Sequence, residues 1–369
     1  MPRIIDALDA AVGRTPTELE DDADYLTMVP GPDRLIGANE RYNAGWFDRF
    51  DGVLNLADTR ALPRALQAWV HLSIDTPDHF IVLNLAELGK AGQTAVLVAD
   101  KKTGAFRHAA ETRMFALNQV VLEPGFRHFK DGATGSMVRT DTDHSHWSFS
   151  VHAEDVHLVG SAKRVGGPAF TQVTRFQRMR GSLQRYGNLE IEHAILSIGD
   201  RIIPIPSGTL GTFDHTVGHQ RGIQNWNWVA SVGRARCEET GEVGLLGIQV
   251  AQDRPLARPV VRSMKHVVWV DDQLFKIPSA GFEYSYTNAD EKETGPWRIR
   301  STEGGPDTDR WLDLTFTPHF HRRERKSVVL VDADFNQYYG TLTGRIGLAD
   351  RTWVLEDFFA VCEESLLEL

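Results

Sequence analysis

Period-two alternation of apolar and polar residues dominates this chain. Runs such as Phe80-Ile81-Val82-Leu83-Asn84-Leu85, Ala95 to Val98, Leu245 to Val250, Val267 to Val270 and Val328 to Val331 are short and end at turn residues, as strands do. Several runs are joined by hairpin chemistry. Gly199-Asp200 separates Ala194–Ile198 from Arg201–Ile203, and the glycine can supply the positive φ of a type II′ turn. Glu239-Thr240-Gly241, Asp271-Asp272 and Ala349-Asp350 divide three further pairs. Helical spacing is confined to two places. Ile5, Leu8 and Val12 share a face within Ile4–Val12, and Leu62, Leu66 and Trp69 recur within Ala61–His71, where Pro63 restricts the helix start. No self-similar blade repeat recurs, which sets a propeller aside. The pattern predicts an all-β protein of the sandwich or barrel type.

A chain of 369 residues is long for one core and suits two domains of roughly 150 residues each. Two prolines and a glycine interrupt the strand pattern at Pro204-Ile205-Pro206-Ser207-Gly208, which places the boundary there. The expected organisation is an N-terminal helical arm over 1–36, a first β domain over 37–203 and a second over 204–369. Asn288 to Gly305, charged and containing Gly and Pro, reads as a long loop in the second half.

Lys and Arg number 40 against 50 Asp and Glu, a formal charge of −10, which argues against general nucleic-acid binding. The basic run His321-Arg322-Arg323-Glu324-Arg325-Lys326 reads as a solvated strand face rather than a phosphate site, because a Glu interrupts it. The two cysteines, Cys237 and Cys362, lack any nucleophile signature and are read as structural. The acidic N-terminus resembles neither a signal nor a transit peptide, and no apolar stretch is long enough to span a membrane. The expectation is a cytoplasmic protein.

Phosphate loops, dinucleotide fingerprints, H-E-x-x-H, C-x-x-C and G-x-S-x-G elements are all missing from the sequence, so neither a cofactor nor a catalytic metal is expected. Two histidine-rich segments remain. In one unbroken strand, His144, His146, Ser148, Ser150 and His152 would share a face opposite Trp147, Phe149 and Val151. That face could hold a metal through three imidazoles or simply meet water. His319 and His321 are read the same way.

The second segment runs from Phe213 to Trp228 and concentrates ionisable groups, amides and two tryptophans. In a regular strand His215, His219, Arg221, Asn225 and Asn227 would lie opposite Trp226 and Trp228, and Gly218 or Gly222 could shift that register. Polar groups turned inward among aromatics cost free energy unless hydrogen-bonded. The segment is therefore either a site or a hydrogen-bond network that closes a barrel or ties two domains.

That segment, Asp214-His215-Thr216 through Arg221 to Asn225-Trp226-Asn227-Trp228, resembles the domain-of-unknown-function family 2804. So do Gly45-Trp46-Phe47-Asp48, Leu54 to Arg60, Trp269-Val270-Asp271-Asp272 with Lys276-Ile277-Pro278, Pro296 to Ile299, and Phe335 to Gly340. The family is similar, more remotely, to the tandem-lipocalin group that includes carotenoid 1,2-hydratases. The resemblance implies two consecutive lipocalin-like antiparallel β-barrels with a cavity in or between them, and Asp214-His215 looks like that group's Asp-His dyad.

Barrels of this type enclose apolar pockets, so the expected partner is a hydrophobic small molecule. The expected activity is a cofactor-free lyase or isomerase, hydratase- or cyclase-like, acting on an unsaturated compound. Asp214 would be a buried acid, His215 or His219 would orient it or activate water, and Trp226 and Trp228 would face a developing cation. Asn227 and Arg221 would hold the oxygenated end of the substrate. The competing reading is a non-catalytic carrier or sensor of the same ligand.

Overall fold

A computed structural model describes residues 28–38, 40–47, 50–58, 66–89, 91–114, 120–122, 128–177, 180–220, 223–253, 265–302, 309–328 and 331–368. The first sheet contains β1 (Gly45–Phe47), β2 (Leu66–Asp75), β3 (His79–Glu87), β4 (Ala91–Asp100), β5 (Phe106–Met114), β6 (Val120–Leu122) and β7 (His128–Asp131). It continues with β8 (Ser136–Thr140), β9 (His146–Ala153), β10 (Val156–Gln177), β11 (Arg180–Ile198), β12 (Arg201–Ile205) and β13 (Leu210–His219). Its order is β5-β4-β3-β2-β13-β11-β10-β9-β8-β7-β6, with β1 on β10 and β12 on β11.

The second sheet contains β14 (Ile223–Cys237), β15 (Val243–Asp253), β16 (Val267–Val270), β17 (Gln273–Lys276) and β18 (Gly281–Glu283). A small hairpin of β19 (Tyr286–Asn288) and β20 (Glu293–Thr294) follows. Then β21 (Trp297–Arg300), β22 (Arg310–Val328), β23 (Val331–Leu348) and β24 (Arg351–Glu368) complete the sheet. Its order is β17-β16-β15-β14-β24-β23-β22-β21-β18. All pairings within the sheets are antiparallel, and each sheet curls into a half-barrel, the lipocalin-like architecture.

Each half-barrel has its own core. The first is lined by residues such as Val70, Leu72, Phe129, Trp147, Phe213 and Val217, the second by Val229, Ile248, Trp297, Phe316 and Leu342. A third apolar layer lies where the sheets meet, joining Phe80, Val82, Leu97 and Ala99 to Trp228, Ala230, Tyr339, Phe359 and Val361. The four expected hairpins form, with positive φ at Gly199, Gly241, Asp271 and Ala349.

Several expectations need correction. Within Ala61–His71 the described residues, from Leu66 on, are strand and not helix. Leu66, Ala68, Val70, Leu72 and Ile74 turn into the first core, and pairing with β3 on one side and β13 on the other settles the conformation. Pro204–Gly208 closes β12 and turns into β13, both still in the first sheet; the chain changes sheet between His219 and Ile223. The described part of Asn288–Gly305, residues 288–302, holds the end of β19, with β20 and β21, rather than one long loop. The proposed helix at Ile4–Val12 lies outside the described residues, and 28–36 contribute isolated bridges. Cys237 and Cys362 are buried and unbridged.

Candidate active site between the half-barrels

Alternation along β13 divides the polar segment between two compartments. Phe213, His215, Val217 and His219 turn into the first half-barrel, whereas Thr212, Asp214 and Thr216 turn toward the second sheet beside Ser73, His71 and Trp69 of β2. Adjacent residues of a strand point to opposite faces, so Asp214 and His215 do not form a dyad. His215 Nδ1 meets His144 Nε2 at 2.7 Å and its ring lies edge-on to Phe129; burial first, then Arg185, holds it neutral with a pKa of about 3. His219 Nδ1 bonds the Tyr42 hydroxyl at 2.8 Å, and burial lowers its pKa to about 4.

On the other face, Asp214 accepts from Trp69 Nε1 at 3.1 Å and from the Thr216 hydroxyl at 2.8 Å. It keeps part of its surface accessible, as do Trp69 and Trp226. The second sheet supplies a cross-strand row of Arg322, Gln337, Glu363 and Trp228. Glu363 accepts from Trp226 Nε1 at 2.9 Å and from Gln337 Nε2 at 2.7 Å. Gln337 Oε1 accepts from Arg322 and from the Tyr339 hydroxyl. His71, the register partner of Asp214, meets the ring of Trp228, the register partner of Glu363, edge to face at 5.4 Å. The two carboxylate-bearing rows join at that contact.

Desolvation acts on both acids. Desolvation raises the Asp214 carboxyl to about 6, against the hydrogen bonds from Trp69 and Thr216 and the nearby charge of Lys265. Desolvation also raises Glu363, and the negative charge of Asp214 adds to it; despite bonds from Trp226 and Gln337 its pKa reaches about 7. Burial, reinforced by Arg322, lowers His71 to about 4. Among the described residues no other residue hydrogen-bonds to the His71 ring, which lies near its own backbone carbonyl. Near neutrality the layer therefore holds a largely ionised Asp214, a Glu363 poised to carry a proton and a neutral imidazole.

The structure thus brings together Asp214, Trp226 and Trp228, with Trp228 Nε1 bonded to Gln249 at 3.2 Å. It separates His215 and His219, which serve the first core, and Asn227, which turns into the second half-barrel and donates to the Tyr284 hydroxyl at 3.1 Å. Arg221 lies outside the described residues. Sequence reasoning missed His71, hidden in a segment read as helix, and Glu363, an acid that directly follows the apolar run Phe358–Cys362. It also misread Arg322, which is buried against Gln337 and Glu324 rather than solvated. His144 stands at φ +59 before β9 and turns inward, away from the exposed or half-buried His146 and His152. Among the described residues no group of three or more His, Cys, Asp and Glu is placed to hold a metal ion. No helix among them is long and apolar enough to cross a membrane.

Two solved structures resemble the chain. A Nitrosomonas europaea protein provisionally named AttH is 13% identical, with a TM-score of 0.51 over 80% of this chain and 92% of its own. Kievitone hydratase from Nectria haematococca is 10% identical, with a TM-score of 0.47 over 93% of this chain and 98% of its own. At such identity the first likeness speaks for the fold alone. No curated protein matches the sequence. The family model described as domain of unknown function DUF2804 matches residues 35–367, nearly the whole of both half-barrels and every residue of the candidate site, and the chain belongs to that family.

Proposed function

We propose that the protein is a cofactor-free lyase or isomerase, hydratase- or cyclase-like, that acts on a hydrophobic unsaturated small molecule held between the half-barrels. The observation that carries this reading is that two carboxyls from different sheets, a buried Glu363 and a half-buried Asp214, act on each other electrostatically beside the contact of the His71 imidazole with Trp228. Desolvation raises both carboxyls toward neutral pH, Asp214 to about 6 and Glu363 to about 7, so one can carry a proton while the other accepts one. Glu363 donates a proton to one carbon of the double bond. The rings of Trp226 and Trp228 face the positive charge that develops. Asp214 takes a proton from the attacking water, or from a substrate hydroxyl when a ring closes, and His71 orients that oxygen. The oxygen bonds to the cationic carbon, and the proton gained by Asp214 returns to Glu363 through solvent.

The reading is tested by screening unsaturated terpenoid and polyketide-like compounds for binding by native mass spectrometry, then following bound compounds for gain or loss of water or for isomerisation. Turnover by the parent and its loss by about 10²- to 10⁴-fold in Asp214→Asn and Glu363→Gln, with binding retained, is the expected result. A compound that binds tightly and is always recovered unchanged makes the protein a carrier or sensor.

A further inference from the structure

A second cluster borders the same inter-sheet layer, two strands from Asp214. Lys276, at the end of β17, is 2% exposed, and its Nζ has no hydrogen-bond partner among the described residues. The ammonium position lies 4.9 Å from the centre of the Phe170 ring and 5.6 Å from that of Trp46. Among the described residues Trp46 Nε1 is also buried without a partner, as are Gln172 Oε1 on β10 and Gln184 Oε1 on β11. Trp46, Gln172, Gln184 and Thr216 occupy one cross-strand row, and Phe170, Tyr186, Asp214 and His71 the next. Neighbouring strands stand about 4.8 Å apart, so Phe170 lies roughly 10 Å from Asp214 along the layer. Lys265 and His266 connect the two places electrostatically: Lys265 acts on Asp214, and both Lys265 and Lys276 act on His266.

We propose that Lys276, with the indole N–H of Trp46, binds the carboxylate of the substrate, so that the ligand is an unsaturated carboxylic acid whose head sits at Lys276 and whose double bond reaches Asp214 and Glu363. A buried amine without a counter-ion is costly, and a carboxylate restores charge balance while accepting from both donors. Burial already depresses the Lys276 ammonium to about 7, the behaviour of an amine that lacks an anion beside it. This assignment rests on the reading of the layer as the ligand site.

The probe is cis-parinaric acid, a fluorescent polyene acid, compared with its methyl ester. The parent should bind the acid about ten- to a hundred-fold more tightly than the ester, the range expected for hydrogen bonds to a charged group. Lys276→Met should remove that preference by weakening the acid alone. The comparison on the parent needs no variant and stands if Lys276→Met fails to fold. Equal affinity for acid and ester overturns the carboxylate site and leaves a hydrophobic ligand at Asp214 and Glu363 intact, whereas binding of neither probe overturns the carboxylate site outright.

Discussion

At the scale of single residues, the two acids carry opposite expectations. If Asp214 must be ionised and Glu363 protonated, turnover rises with pH through about 6 and falls above about 7. A pH–rate profile flat across that range would remove both residues from the chemistry. Stability follows the same groups by linkage. Each carboxyl has a folded pKa above its unfolded one, so over the interval between them the folded state binds more protons and stability falls as pH rises. Glu363→Gln removes the Glu363 share of that slope. The melting temperature of the variant relative to the parent should therefore move in the variant's favour from about pH 5 to about pH 8; a constant difference would mean that Glu363 is not held protonated by the fold. The neutral histidines of the first core, His144 and His215, have lowered pKa values and resist protonation until more acid conditions.

At the scale of elements, a bulge positions the lysine hairpin. Between Val165 and Phe170 the register of β10 on β11 shifts, and Gly166 and Gly167 adopt φ of +71° and +87°. A Cβ at Gly167 would stand 2.8 Å from the carbonyl oxygen of Asp272, in the turn between β16 and β17. The indole of Trp269 on β16 donates to the Pro168 carbonyl at 2.8 Å. Gly167→Ala thus combines backbone strain with a clash and should destabilise the protein by about 1–3 kcal/mol, with the fluorescence of the buried Trp269 shifting toward that of exposed indole. An unchanged melting temperature and spectrum would show that the bulge does not hold the hairpin.

At the scale of the molecule, two self-contained cores meet through a thin apolar layer. Phe80 contributes most visibly, packing on Phe359 at 4.8 Å and on Tyr339 at 5.9 Å between ring centres. Phe80→Ala should cost about 3–5 kcal/mol and split a single thermal transition into two, because each half-barrel keeps its own core. A variant that still unfolds in one step at nearly the parent temperature would show that the layer contributes little to cohesion. Far-ultraviolet circular dichroism should be strand-dominated, with helix well below the roughly one-third usual in soluble domains.

Alternation and turn chemistry are local properties, and the sequence alone determined what depends on them: the all-β class, the hairpins at Gly199-Asp200 and Asp271-Asp272, and the crowding of polar and aromatic groups between Phe213 and Trp228. Which sheet each strand joins depends on partners far along the chain, and so does the function of a face. Leu66–His71 fits helical spacing until β3 and β13 flank it. Asp214 and His215 look like a pair until β13 is packed on both faces, one lining a core and the other a layer. Glu363 and Arg322 carry no local signal, since only the crossing of β22, β23 and β24 sets them in one row. Tertiary structure decided the site because it joins side chains more than a hundred residues apart, and the desolvation that sets their pKa values exists only once both half-barrels have closed over them.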